Sequence, residues 1–130
     1  MLNPQFDKTL TGWEVRTEDG STASMSIVNT GELSGPNAGK VSITEDSGTD
    51  WHIQLIHTGP SVQSGSLYTI SFDAKASAPK NVGVEVRELN NFWDNFGGEY
   101  LMLTTTPQSF SFDIIPVSYT HLTLPTICSV

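Results

Sequence analysis

Cysteine is almost missing from this 130-residue chain, with Cys128 the sole thiol. An intrachain disulfide and a multi-thiolate metal site are therefore both excluded. Basic side chains are also few: six Lys and Arg stand against fourteen Asp and Glu, for a net charge of -8 and a pI near 4.5. A surface of that sign repels phosphate backbones and anionic lipid, so nucleic acid and membrane surfaces are excluded as expected partners. No apolar run approaches the ~18 residues needed to cross a bilayer. Met1 to Asp7 has neither a basic nor an apolar leader segment, so no signal peptide is read in this stretch. The scarcity of cysteine fits a secreted bacterial module and a cytosolic protein equally.

What the chain does have is enough apolar content for one core. Apolar residues make up 37% and charged residues 15%, in a mass of 14.1 kDa that suits a single domain. The polar surface is carried by Ser, Thr, Asn and Gly. Helical spacing does not persist beyond two turns, whereas alternation of period two recurs between clusters of Gly, Pro, Asn and Asp. Eight strands are expected: Trp13 to Glu18, Ala23 to Val28, Lys40 to Thr44, Trp51 to His57, Leu67 to Ala74, Val82 to Glu88, Glu99 to Thr104 and Ser109 to Ile114. Turn chemistry separates them at Asp19-Gly20, Ser34-Gly35-Pro36-Asn37, Asp46-Ser47-Gly48, Gly59-Pro60, Ser64-Gly65, Ala78-Pro79 and Gly97-Gly98. The fold class is all-β, a sandwich or jelly roll.

Three strands show the alternation most clearly. Tyr68, Ile70, Phe72 and Ala74 fall on one face, as do Val82, Val84 and Val86, and Phe110, Phe112 and Ile114. Each set is expected to face the core, with the polar partners turned outward. After Pro116 the character changes. Residues 117–130 lack matching turn signals and are what a transposon-end adapter used in sequencing libraries would encode in translation, so they are read as a non-native tail. On that reading residues 1–116 are one sandwich module whose last strand is missing, and one sheet keeps an unpaired edge.

The aromatics are unevenly placed. Trp51 follows the polar loop Glu45 to Asp50, and Phe92, Trp93 and Phe96 lie among Asn90, Asn91, Asp94, Asn95, Gly97 and Gly98. Large aromatics in such surroundings either fold back as a plug on the core or form a contact surface. Sugar rings present apolar C–H faces rimmed by hydroxyls, so a sugar site needs flat aromatic platforms beside groups that give paired hydrogen bonds. Trp51 and Trp93, with His52, Gln54, Glu85, Arg87, Asp94 and Asn95, supply that mixture. Alternation puts Trp51 on the core side with Ile53 and Leu55 unless a bulge or the loop releases it. Glu85 and Arg87 share the outward face, where they form part of a site or a plain surface ion pair.

Three segments carry a family resemblance: Asn3-Pro4-Gln5-Phe6-Asp7 through Thr11-Gly12-Trp13, then Trp51-His52-Ile53-Gln54-Leu55, then Ser64 through Ala76 with its run Tyr68-Thr69-Ile70-Ser71-Phe72-Asp73-Ala74-Lys75. Together they resemble the family 4 and 9 carbohydrate-binding modules. The resemblance implies a jelly-roll sandwich of two antiparallel sheets that binds β-linked polysaccharide, of β-glucan or xylan type, in a cleft on a concave sheet. It further implies a non-catalytic, monomeric accessory of a secreted or cell-surface glycoside hydrolase to which it is covalently joined. Trp51 and Trp93 match the two stacking platforms, and Gln54 matches a hydrogen-bonding residue. The family's structural calcium is matched at one acidic position by Asp7; no other cofactor is implied.

A catalytic reading finds little support. The defensible carboxylate pairs for glycoside chemistry are Glu85 with Asp94 or with Glu99. Nucleophile elbows, zinc-binding helices, phosphate loops and cysteine–histidine arrangements are all missing. The competing non-enzymatic reading is a structural or adhesive sandwich domain of a cell-surface protein, its aromatics buried at domain contacts.

Overall fold

A computed structural model describes residues 4–7, 9–90 and 94–117, together with the backbone of 120–129. Its strands are β1 (Trp13–Thr17), β2 (Thr22–Val28), β3 (Ala38–Glu45), β4 (Ile53–Val62), β5 (Tyr68–Ala74), β6 (Lys80–Glu88), β7 (Asn95–Leu103), β8 (Gln108–Ile114) and β9 (Thr120–Ser129). A 3-10 turn, Asp50–His52, leads into β4. One layer is a five-stranded antiparallel sheet in the order β1-β4-β9-β6-β7. The other is made of two separate antiparallel ribbons, β2-β3 and β5-β8.

The period-two pattern translates directly into layers. Val82, Val84 and Val86 are buried from the inner face of β6, and with Phe96 and Leu103 of β7 they pack on Phe112 and Ile114 of β8. Tyr68, Ile70 and Phe72 of β5 adjoin the same core but are only partly covered. Branched and aromatic side chains on a pleated surface favour this arrangement, because each strand buries one face and leaves the other polar. Ile53, Leu55 and His57 form the inner row of β4. Trp13 lies edge-on to His57 at 4.6 Å between ring centroids, and Phe6 tilts against Trp13 at 4.7 Å.

Two expected turns prove to be interruptions within strands. Gly59-Pro60 lies inside β4, at a register shift between Thr58 and Ser61 against β9. Gly97-Gly98 lies inside β7, beside the shift between Val86 and Arg87. Glycine and proline signal a break in regular pairing, and a bulge satisfies that signal without reversing the chain. Gly97 at φ 141 takes a backbone conformation that a side chain would strain. Phe96, read from sequence as a loop residue, consequently belongs to a strand and to the core.

The sequence reading stops at an eighth strand, whereas residues 120–129 run as a ninth between β4 and β6. The five-stranded sheet is thereby continuous across its middle. Its outer edges are β1 and β7, and in the other layer the ribbons β2-β3 and β5-β8 are not paired with each other among the described residues.

Candidate functional site

The outer face of the five-stranded sheet carries the polar residues of alternation. Arg16 of β1 lies opposite Gln54 of β4, Gln54 is linked through β9 to Gly83 of β6, and Gly83 lies opposite Tyr100 of β7. With strands about 4.8 Å apart, Gln54 and Tyr100 are separated by three spacings, roughly 14 Å across the sheet. The row is flanked by two ion pairs. Arg16 Nη2 lies 3.5 Å from Glu14 Oε1, and Arg87 donates from Nε to Glu85 Oε2 at 2.7 Å. The second pair is only about a quarter exposed on each partner, so it is more shielded than an ordinary surface ion pair.

Trp51 stands clear of the core. Residues 50–52 form a 3-10 turn, so strand alternation starts only at Ile53 and the indole is released to half exposure. Backbone and side-chain bonds hold that turn. Asp50 Oδ1 accepts from the Trp51 amide at 2.9 Å, His52 N donates to Thr49 O at 3.1 Å, and Gln54 Nε2 donates to Trp51 O at 2.8 Å. The Trp51 ring also stands perpendicular to that of His52, with centroids 4.2 Å apart.

His52 departs from its expected place among the outward polar groups. It is buried, and its Nδ1 shares a 2.7 Å hydrogen bond with Ser47 Oγ. The same turn that releases Trp51 rotates its neighbour inward, where the imidazole braces the Glu45–Asp50 loop. Asn95 is exposed, but its Oδ1 accepts from the Gly97 amide at 2.9 Å and so shapes the bulge of β7. Asp94 is exposed and its carbonyl accepts from Glu88 N at 3.0 Å. Trp93 lies outside the described residues.

Tyr100 is the residue that sequence reading passed over. Its side chain is 74% exposed, and a Cβ built on Gly83 would come within 3.3 Å of Tyr100 Cε1. The ring therefore rests over the bare backbone of Gly83 with its other side open. A signal existed: Tyr100 has the parity opposite to Leu101 and Leu103, and Gly83 is the gap between two core valines. Neither position is informative until β6 and β7 are placed in register. Gly98 has a related role, since a Cβ there would come within 2.3 Å of Val84 O, so β7 lies flush against β6 beside Glu85.

Exposed aromatic rings, together with an amide, a carboxylate and a guanidinium, are the groups that can hold an uncharged polyhydroxylated chain. The family model for the "Carbohydrate binding domain" CBM_4_9 matches residues 1–119. This chain belongs to that carbohydrate-binding family. A solved structure described as "CBM4 structure and function" superposes on the domain with a TM-score of 0.76 at 21% identity, over 98% of this chain and 88% of that one. The enzymatically active domain of tailspike protein 4 from bacteriophage CBA120 does so with a TM-score of 0.67 at 12% identity, over 97% of this chain and 18% of that one. At those identities the likeness is one of fold. No curated protein matches the chain.

The acidic position that the resemblance assigns to a structural calcium is Asp7. Asp7 is exposed and its main-chain carbonyl accepts from Asn37 Nδ2 at 2.6 Å. Among the described residues, no three His, Cys, Asp or Glu side chains gather into a metal-binding group. The described residues thus do not supply the carboxylate set that a dedicated calcium cage uses.

Proposed function

We propose that this carbohydrate-binding domain holds a β-linked polysaccharide, of β-glucan or xylan type, across the outer face of its five-stranded sheet. The observation that carries the reading is the pair of open aromatic surfaces, Trp51 beside β4 and Tyr100 over Gly83. Sugar rings stack on these, while Gln54, Glu85 and Arg87 exchange hydrogen bonds with hydroxyls between them. Gln54 Nε2 is engaged by Trp51 O, which leaves Oε1 to accept from a hydroxyl. Trp93 and Asp94 join the site as a further platform and rim on the strength of the family resemblance.

The role is non-catalytic. Glu85 Oε2 accepts from Arg87 Nε at 2.7 Å, which supports a place for Glu85 among the hydrogen-bonding groups of a binding face. The domain serves as the targeting part of a secreted or cell-surface glycoside hydrolase, and acts as a monomer. Affinity gel electrophoresis with soluble β-glucans and xylans tests the binding role: retardation by at least one glycan is expected, and its loss in a Trp51→Ala, Tyr100→Ala double variant that still folds. Migration unchanged by every glycan overturns the reading. Release of reducing sugar from a bound glycan overturns the non-catalytic assignment.

A further inference from the structure

Both arginines of the chain stand in the same triplet, Glu-Val-Arg: Glu14-Val15-Arg16 in β1 and Glu85-Val86-Arg87 in β6. Val15 lies opposite Leu55 of the inner row and Val86 is fully buried, so the glutamate and arginine of each triplet share the outer face of the five-stranded sheet. Residues two apart on a strand lie about 7 Å from each other, within reach of two long side chains. Both triplets close into ion pairs, Arg16 Nη2 with Glu14 Oε1 at 3.5 Å and Arg87 Nε with Glu85 Oε2 at 2.7 Å. In the sheet order β1 and β6 are three strand spacings apart, roughly 14 Å.

The other cations of the chain are elsewhere. Lys40, Lys75 and Lys80 line the cavity between β3 and β5, on the inner side of the sheet, and Lys8 lies outside the described residues. Asp50, whose Oδ1 accepts from the Trp51 amide, adds negative charge beside the exposed indole. Among the described residues each arginine of the outer face is thus matched by a carboxylate on its own strand, within a chain of net charge -8. Ion pairs near a surface contribute little to stability, so folding alone gives little reason for the repeated triplet.

We propose that the two Glu–Arg pairs set the charge specificity of this face, selecting uncharged glycans against glycans that carry uronic acids, with Glu14 and Arg16 adding a second polar subsite to that of Glu85 and Arg87. The inference rests on the sugar-binding reading of the same face. A carboxylate beside a guanidinium sets an acceptor next to a fan of donors, which matches two neighbouring hydroxyls, one donating and one accepting. The carboxylate of a uronic acid only accepts, so it has to displace a glutamate from its arginine or lie against it as a like charge. That penalty is larger at Glu85 and Arg87, which are about a quarter exposed, than at the half-exposed pair on β1, because solvent screens it less. A ligand that touches both pairs is an oligosaccharide, given the three strand spacings between them.

The test titrates the full chain, by calorimetry at low salt, with two matched pairs of hexasaccharides. One pair is a xylan fragment with and without a glucuronic acid branch; the other is a cellulose fragment with and without oxidation of its primary alcohols to carboxylates. Within whichever pair binds, the neutral member is expected to bind about tenfold more tightly, and the difference should narrow as salt is added. A Glu14→Gln, Glu85→Gln variant leaves both guanidiniums without their carboxylates and should reverse the preference. Glu14→Gln alone, at an exposed position, should shift it a few-fold in the same direction; thermal melting confirms that each variant folds, and the single variant decides if the double one does not. Equal binding of neutral and acidic members by the parent chain, or a preference unmoved in the glutamine variants, overturns the charge assignment while leaving sugar binding in place. Failure of the parent chain to bind either neutral hexasaccharide overturns the sugar-binding reading and this inference with it.

Discussion

The two halves of the sandwich are built to different standards. Where β6 and β7 face β5 and β8, Val84 and Val86 are fully buried and one continuous cluster joins both layers. Where β1 and β4 face β2 and β3, the opposing ribbon contributes a single buried apolar residue, Ala38, and its other apolar side chains stay half-covered. Both halves alternate in sequence, so composition is not the cause. The difference is one of closure: the first half has strands on both sides in contact, and the second borders the gap between β3 and β5. Alternation makes a strand able to bury one face, and only a facing layer in contact makes it do so.

The largest effect that could break this comparison is expected at Phe112. Phe112→Ala removes a buried ring from the closed half and should lower stability by about 3–5 kcal/mol. Ile43→Ala, on the ribbon bordering the gap, should lower it by less than about 1 kcal/mol because that side chain is only half-covered. Urea denaturation of the two variants checks both, and equal losses would erase the distinction between the halves.

Next in size is the loss of the exposed indole. Trp51→Ala should weaken glycan binding about tenfold, or ~1.4 kcal/mol. Its folding stability should change by less than about 0.5 kcal/mol, as befits a half-exposed side chain. Isothermal titration beside thermal denaturation separates the two effects.

A smaller effect, dependent on pH, is expected at Asp73, which joins the halves at the mouth of the gap. Ser109 Oγ donates to its Oδ1 at 2.6 Å and Ser34 N to its Oδ2 at 3.0 Å, and these bonds hold the carboxyl below the ordinary aspartate value. A lowered folded pKa means that the unfolded chain takes up the proton first. The stabilisation is therefore complete above the ordinary value and is lost as pH falls through the lowered one. Asp73→Asn should melt below the parent at neutral pH, with the difference closing under acid conditions; a gap that widens with acid contradicts the assignment.

The finest effect is at Gly83. Gly83→Ala would set a methyl 3.3 Å from Tyr100 Cε1 and lift the ring by a few tenths of an ångström. A few-fold loss of glycan affinity with unchanged stability is expected, whereas unchanged affinity removes Tyr100 from the site.

Much of the fold was legible because period-two alternation is a local property. The core faces of β6 and β8 were readable from Val82, Val84 and Val86 and from Phe110, Phe112 and Ile114, since a strand places every second side chain on one side whatever its neighbours. The site was less legible. Gln54, Glu85 and Arg87 were read correctly as outward residues from the same rule. His52 was not, because a 3-10 turn of three residues interrupts the rule and leaves no sequence mark beyond a loop of Asp, Ser, Gly and Thr.

By itself, then, the chain's chemistry determined that it would be all-β, which faces of its strands would seek a core, and that it would carry a net charge of -8. Alternation and net charge are sums over neighbours in sequence, and need no fold to be counted. Tertiary structure alone decided that Tyr100 would lie over Gly83, that Trp51 would stand out while His52 turned in, and that β3 and β5 would be left facing each other across a gap. Each of those depends on register or on contact between distant strands, and such contacts exist only once the backbone has been closed into layers.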